Sequence, residues 1–146
     1  MAEIHTGATI TPSKVELLTS WIGHQRWYAA KGATPQLRRL RSFRFEDPAG
    51  EVGVEVMVLA DDAGPSPVVY QVPVSYRGAP LAGAETALIG TFEHSVLGTR
   101  YVYDGPHDPA YAERLFALAT GSAQAVSSTV TFRRHAGGWP TGSTSP

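Results

Sequence analysis

The stretch Val68–Arg77, VVYQVPVSYR, decides the fold because its residues alternate in character. Its even-numbered positions are apolar or aromatic, and its odd-numbered positions include Gln71, Ser75 and Arg77. A period of two residues places the two sets on opposite faces of a β-strand. Pro73 has no backbone N–H to donate to a neighbouring strand, so the pattern predicts an edge strand or a bulge at that residue.

Two more strands are predicted before this stretch. Phenylalanine alternates with charged residues in Phe43–Glu46, and the four valines of Val52–Val58 occupy one strand face, with Glu55 on the other. The turn-forming segments Asp47–Gly50 and Asp61–Pro67 separate the strands. Three consecutive strands joined by short turns predict an antiparallel meander.

Three later segments also have extended character, namely Ala87–Phe92, Arg100–Asp104 and Ser127–Arg134. The last would place Val130 and Phe132 inward. The predicted fold class is therefore α+β. It is a curved antiparallel sheet of about four to six strands, packed on one face by two main helices.

The first predicted helix begins near Pro12, where Ser13 and Glu16 have the spacing of a capping box. The apolar face of this helix consists of Val15, Leu18 and Ile22, widened by Leu17 and Trp21. The following segment, His24–Ala30, predicts a second short helix that ends near Gly32.

The other main helix is predicted after Asp108, a suitable N-cap, with Pro109 in its first turn and Gly121 as its stop. Its predicted inward face consists of Tyr111, Leu115 and Leu118.

Length and composition predict one folded domain. The chain has 146 residues, of which 42% are hydrophobic and 17% charged. We expect a flexible N-terminal arm at residues 1–10, a single domain at 11–135 and a disordered tail at 136–146, where Gly, Pro, Ser and Thr dominate.

Charge and cysteine content exclude several classes of function. The formal net charge of −1 provides no global field for nucleic acid or an anionic membrane. The chain has no cysteine, which excludes disulfides, thiolate catalysis and Cys-type zinc sites. The sequence shows neither an apolar run long enough to span a bilayer nor a signal peptide, so we expect a cytoplasmic protein.

The basic run on the first predicted strand is a candidate interaction surface. It consists of Arg38, Arg39, Arg41 and Arg44. Such a run can attract an acidic partner. The alternation with Phe43 and Phe45 favours the other interpretation, the solvent-facing side of an amphipathic strand, partly neutralised by Glu46, Asp47 and Glu51. Because Arg38-Arg39 breaks that alternation, a contact with a partner stays open.

Two other constellations invite a chemical role. The indoles of Trp21 and Trp27 lie near Arg26 and Lys31 in sequence and could stack on a sugar ring, although packing against the sheet is the simpler use of them. Asp104, His107 and Asp108 could form a general base or a metal site. The dense turn formers in this segment favour a structural role for it.

The sequence contains none of the parts that phosphoryl transfer needs. The segment Ala30-Lys31-Gly32 lacks the glycine spacing of a phosphate-binding loop, and no catalytic His-Gly-Asp string is present. The five histidines show no metal-ligand spacing. We therefore assign no catalytic, cofactor-binding or metal-binding residue.

Four sequence stretches together resemble the N-terminal cap domain of actinobacterial maltokinases. They are Trp21–Gly32 (WIGHQRWYAAKG), Tyr70–Arg77 (YQVPVSYR), Leu88-Ile89-Gly90 and Tyr101–Pro109 (YVYDGPHDP). The resemblance covers roughly residues 15–120. The residues that carry it are Trp21, Gln25, Arg26, Trp27, Lys31, Tyr70, Gln71, Pro73, Tyr76, Arg77, Tyr103, Asp104, Pro106, His107, Asp108 and Pro109.

The resemblance implies a domain that, in those larger enzymes, lies on the nucleotide-side lobe. Maltokinases use ATP to make maltose 1-phosphate for α-glucan synthesis, and some are fused to trehalose synthase. None of their ATP, Mg²⁺ or sugar residues has a matching position in this sequence.

The function hypothesis is a non-catalytic, cap-like module that acts by protein contact, with no cofactor. Its partner would be a sugar kinase, an α-glucan or trehalose enzyme, or a second copy of itself. The alternatives are a small-ligand or carbohydrate-binding domain that uses the aromatic residues, and a fragment of an ATP-dependent maltokinase.

Overall fold

The period-two stretches form an antiparallel sheet. The computed structural model describes residues 7–45, 51–121 and 125–129. In these ranges the strands are β1 (Ile10–Thr11), β2 (Leu37–Phe45), β3 (Val52–Asp61), β4 (Val68–Arg77), β5 (Leu88–His94), β6 (Gly98–Asp104) and β7 (Ala125–Thr129). The helices are α1 (Lys14–Ile22) and α2 (Pro109–Ala119). Short 3₁₀ turns span Glu85–Ala87 and Gly105–His107.

All seven of these strands belong to one sheet in the order β1-β5-β6-β4-β3-β2-β7. Every pairing in it is antiparallel. The predicted α+β class is confirmed. The sheet has more than the predicted four to six strands because β1 has only two residues, too few to show a periodic pattern.

Strand β4 has neighbours on both sides only at Val74–Arg77, so of the two predicted alternatives at Pro73 the edge position is confirmed and the bulge is absent. β4 pairs with β3 along its whole length without a register shift, and its last four residues also pair with β6. The ladder with β6 begins at Val74, one residue after the proline. A proline is excluded from a sheet only where its missing N–H is required, and Pro73 has no β6 residue opposite it that would accept that bond.

The two main helices pack on opposite faces of the sheet, which corrects the prediction that both pack on one face. Under α1, Leu18 and Ile22 join a core with Met57 and Leu59 of β3. Under α2 the core consists of Phe45, Val52, Val54 and Val56, with Tyr111 and Leu118 packed against it. Because β3 is apolar at both odd and even positions, both of its faces require a cover.

Helix α2 is rotated relative to its predicted inward face. Leu115 is 44% exposed and Phe116 is 71% exposed, whereas Ala117 is buried. The contacts with the sheet come from Ala110, Tyr111 and Leu118.

The capping box predicted for the first helix is confirmed. Ser13 is the N-cap; its side chain accepts from the Glu16 N–H, and the Glu16 carboxylate accepts from the Ser13 N–H. Pro12 precedes this cap rather than lying in the first turn.

The second short helix predicted at His24–Ala30 is absent, and that segment is a series of turns. Isolated bonds such as Tyr28 N–H to Gln25 O, at 3.1 Å, replace a helical ladder. Two contacts with the sheet fix the segment instead. The Tyr28 hydroxyl donates to Asp61, and the Ala29 N–H donates to the Tyr70 hydroxyl. Tertiary contacts thus override the local helical preference.

Several predictions fall outside the described residues. They are most of the arm at 1–10, the turn at 47–50, the strand residues after 129 and the tail at 136–146. The domain boundaries stay predictions.

We predict that Gly105→Ala lowers the free energy of unfolding by about 1–3 kcal/mol. A Cβ on Gly105 would lie 2.9 Å from the carbonyl carbon and oxygen of Pro73, and this backbone cannot move without disturbing β4. Urea unfolding followed by circular dichroism measures the change. Gly64→Ala is the control, since its nearest neighbour, the Ser66 carbonyl oxygen, is 3.8 Å away. Equal stabilities of the two variants would contradict the prediction.

Candidate functional site

The four arginines of the basic run do not share a face, since Arg38 and Arg39 are consecutive in the strand. A β-bulge between Arg39 and Arg41 then decides which arginines share a face. The register places Arg44 opposite Glu55 and Arg39 opposite Leu59, on the α1 side of the sheet. Arg38 and Arg41 lie on the α2 side, opposite Ala60 and Val58. The interpretation of the run as a single solvent-facing row is therefore wrong.

Glu55 is the centre of a cluster of charges under α1. Its carboxylate is fully buried, although the position lies in an apolar strand. It accepts from the Tyr76 hydroxyl at 2.7 Å and from Lys14 Nζ at 3.1 Å. The two β2 arginines complete the set, with Arg39 Nη2 at 3.3 Å and Arg44 Nε at 3.5 Å. We call these five residues the Glu55 cluster.

Charge and burial act against each other in this cluster. Burial raises the pKa of Glu55, but the Lys14 charge, the Tyr76 hydrogen bond and the Arg44 charge outweigh it and lower the pKa to about 2. Burial lowers the pKa of Lys14, and the Glu55 charge offsets part of that shift. Burial and Glu55 together raise the pKa of Tyr76 well above its ordinary value.

The Glu55 cluster is suited to holding elements together and not to proton transfer. A general base at neutral pH needs a pKa near 7, and Glu55 is ionised far below that. Its ligands come from α1, β2 and β4, so a single carboxylate joins three elements to β3.

Arg38 has an acidic partner that the sequence analysis did not name. Arg38 donates to both carboxylate oxygens of Asp62, at 2.7 and 3.2 Å, at the surface. Glu46 and Asp47, named from the sequence as neutralising residues, lie outside the described part of the chain.

Asp108 joins α2 to the sheet. Arg77 donates to both of its carboxylate oxygens at 2.7 Å, and the Ser75 hydroxyl donates at 2.6 Å. The Ala110 N–H also donates to it, so Asp108 is the predicted N-cap. Burial raises its pKa, but the bonds from Arg77, Ser75 and Ala110 lower it below the ordinary value.

The neighbouring Asp104 and His107 form no catalytic constellation with Asp108. His107 is 65% exposed in its side chain, and its Nε2 lies 3.8 Å from Asp104 Oδ2. The carboxylate of Asp108 is buried and already accepts hydrogen bonds from side chains of β4 and from the first turn of α2. Within the described residues, no group of three His, Cys, Asp or Glu side chains is placed to hold a metal ion.

The aromatic residues near the chain start form a chain of ring contacts on β4. Trp21 and Trp27 meet edge to face at 5.9 Å between centroids, and Trp27 contacts Tyr70 at 5.4 Å. Tyr28 stacks on Tyr70 at 5.9 Å between centroids. Trp27 is 48% exposed, so it is packed at one side and open to solvent at another.

Of the two cations beside these indoles, one bonds to a nearby backbone carbonyl and the other lies on the surface. Lys31 Nζ donates to the Gln25 carbonyl, and the Gln25 amide donates to the Trp21 carbonyl at 3.2 Å. Arg26 is exposed. These contacts give the segment a fixed shape but do not converge on a ligand position.

One open depression of about 400 Å³ lies between β4 and β6. Arg77 and Arg100 line it, with Glu51 and the loop at 78–80. Arg77 is bonded to Asp108, and Arg100 donates to the Tyr76 carbonyl at 3.2 Å. It is a shallow surface feature and not an enclosed ligand pocket.

The buried carboxylates Glu55 and Asp61 are the site residues that the sequence analysis missed. Asp61 accepts from the Tyr28 hydroxyl at 2.6 Å and the Gln36 N–H at 2.9 Å, and burial together with this carboxylate raises the pKa of Tyr28 to about 12. A single acidic residue inside an apolar strand was the available signal, since such a residue is buried only with partners.

We predict that Glu55→Gln lowers the free energy of unfolding by about 3–5 kcal/mol at pH 7, because it leaves the partly buried Lys14 without its counter-charge. The folded pKa of Glu55 is depressed, so its contribution is complete above the ordinary value of 4.5 and is lost as the pH falls towards 2. The difference in free energy of unfolding between wild type and variant should therefore become smaller as the pH falls from 4.5 towards 2. Urea unfolding at pH 7, 4.5 and 3 measures it.

Glu113→Gln is the matched control, because the Glu113 side chain is 74% exposed. We expect a change within about 0.5 kcal/mol at pH 7. If the difference in free energy of unfolding between wild type and Glu55→Gln stays constant from pH 7 to 3, Glu55 does not have the lowered pKa assigned to it.

Comparison with known protein families assigns the chain. The family described as maltokinase N-terminal cap domain matches residues 21–108, more than half of the sequence. The match runs from Trp21 to Asp108 and so includes β2 to β6. No curated protein and no solved structure matches the chain. No helix among the described residues is long and apolar enough to cross a membrane. On the strength of the family match, the chain belongs to the maltokinase N-terminal cap domain family.

Proposed function

We propose that this chain is a non-catalytic module that binds a sugar kinase, or an enzyme of α-glucan or trehalose metabolism, and regulates it. The observation that carries the proposal is that the buried carboxylates are occupied by hydrogen bonds and ion pairs within the protein. Glu55, Asp61 and Asp108 each accept several bonds from the protein itself. A reacting carboxylate must instead reach a substrate.

Two further points support a role through contact. The family name supports a link to sugar-kinase metabolism, since the matching domain is named after maltokinases. The depression lined by Arg77 and Arg100 is shallow and open to the surface, and both arginines already bond to the protein. A cytoplasmic location stays part of this proposal.

Arg41 is the arginine of the basic run that is best placed to meet a partner. It is exposed, lies over the Phe43 ring at 5.5 Å, and is on the opposite face from the Glu55 cluster. Arg39 and Arg44 are engaged by Glu55, so substituting them would change folding and binding together.

The test is affinity capture with the tagged chain from its source lysate, followed by mass spectrometry of the retained proteins. Recovery of a sugar kinase or of an α-glucan or trehalose enzyme, repeated with the purified candidate, would support the proposal. Retention of no such enzyme would overturn it.

We predict that Arg41→Glu weakens capture of that enzyme by at least about fivefold at low salt, because a rim charge acts mainly through long-range attraction. The effect should shrink as salt is raised. Arg26→Glu is the control, since it changes the net charge equally at an exposed position on a different segment. Equal weakening by both variants would assign the effect to net charge and not to this surface.

A carbohydrate-binding function is the second candidate, favoured by the half-exposed Trp27 in its ring cluster. An indole held at one side and open at another can stack on a sugar ring. Titration with maltose and trehalose, followed by tryptophan fluorescence, should give a saturable change that Trp27→Ala abolishes. No change at millimolar sugar would leave the cluster with a packing role alone.

A further inference from the structure

One side of β4 is an open sheet edge over half its length. The segment Val68–Val72 pairs with β3 on one side. On the other side β6 pairs only with Val74–Arg77, after which the chain turns away at Gly105, which packs on Pro73. Within residues 7–45, 51–121 and 125–129, no strand occupies the free side of Val68–Val72. We call this segment the β4 edge.

The β4 edge lacks the features that normally protect an exposed edge. Its sequence, VVYQV, contains no charged residue and no proline. Val69 is 58% exposed, and Gln71 is also exposed. Natural sheets usually place a lysine, a proline or a bulge at such positions, because unpaired backbone groups attract another strand.

The outer sides of two other strands, β5 and β2, are partly covered by neighbouring strands. The outer side of β5 is covered at Glu93 and His94 by β1. The outer side of β2 is covered by β7 over Arg41–Phe45, and its uncovered part carries Arg38 and Arg39. The β4 edge differs from the uncovered part of β2 because it carries no charged residue.

We propose that the β4 edge pairs antiparallel with the same segment of a second copy of this chain, forming a two-fold symmetric dimer. The sequence is self-complementary about Tyr70. Antiparallel pairing sets Val68 opposite Val72 and Val69 opposite Gln71, and brings no like charges together. An isologous contact of this kind closes on itself and leaves no open edge on either side.

The surroundings of the β4 edge fit a symmetric contact. Trp27 lies against Tyr70 and is half exposed, so the two-fold axis would bring an indole from each copy to the same face. Val69, on the opposite face, would approach its symmetry mate diagonally across the new ladder. Apolar surface thus becomes buried on both faces of the pairing.

This inference does not rest on the proposed function. The dimer uses β4, whereas the proposed enzyme partner meets Arg41 on β2. Self-association is measured with pure protein, and enzyme capture is measured separately, so failure of one leaves the other standing.

The experiment is sedimentation velocity of the complete chain over a range from about 1 to several hundred micromolar. We expect a concentration-dependent shift from monomer to dimer. Val69→Lys should raise the dimer dissociation constant at least about tenfold, because it places two lysines as diagonal neighbours. Val96→Lys is the matched control, since Val96 is 60% exposed at the turn between β5 and β6 and should leave dimerisation unchanged.

Hydrogen exchange locates the contact. Amides of residues 68–72 should become slower to exchange at concentrations where the dimer forms, and Val69→Lys should remove that protection. A monomer at every concentration would overturn the proposal. So would a dimer that Val69→Lys and Val96→Lys weaken equally, or concentration-dependent protection that lies elsewhere. Circular dichroism and urea unfolding show whether each variant is folded.

Discussion

The buried carboxylate of Glu55 is the constraint on which the arrangement of α1 and the central strands depends. Apolar packing alone would let α1 slide or rotate on the sheet. Lys14 on the helix and Tyr76 on β4 must both reach one carboxylate, which fixes where the helix begins relative to the strands. The bulge in β2 serves the same group, because it lets Arg39 and Arg44 lie on one face although five residues separate them. The cluster favours one orientation over others more than it adds to stability.

Local sequence patterns predicted the main strands and helices. The features that the sequence did not predict depend on contacts between residues far apart in the chain. Alternation located the long strands, and the sequence signals at Ser13 and Asp108 located both helix starts. The bulge between Arg39 and Arg41 had only one sign in the sequence, the break in alternation at Arg38-Arg39. Nothing local to β2 indicates that the bulge brings Arg39 and Arg44 to Glu55 on the next strand. The run from Val56 to Ala60 is apolar at both odd and even positions, which indicates that both faces of the strand are covered. The prediction used only the even positions.

The residues that carry the family resemblance mostly maintain tertiary contacts. Tyr70 receives the segment after α1, Tyr76 binds Glu55, and Arg77 binds Asp108. Membership in the cap family is thus readable from the sequence because the motif residues hold the fold. The same fact explains why the motifs do not identify a reacting group. Exposed positions such as Arg41 and the β4 edge are harder to recognise from the sequence, since an exposed residue has few partners that restrict its type.

Asp108 has a mechanical consequence beyond its role as a helix cap. One carboxylate closes the first turn of α2 and also binds Ser75 and Arg77 on β4. Pulling the helix away from the sheet would therefore break the cap and the ion pair in the same event. The helix and the central strand form one cooperative unit, and a force or ligand acting on the exposed side of α2 would be transmitted to β4 through this side chain.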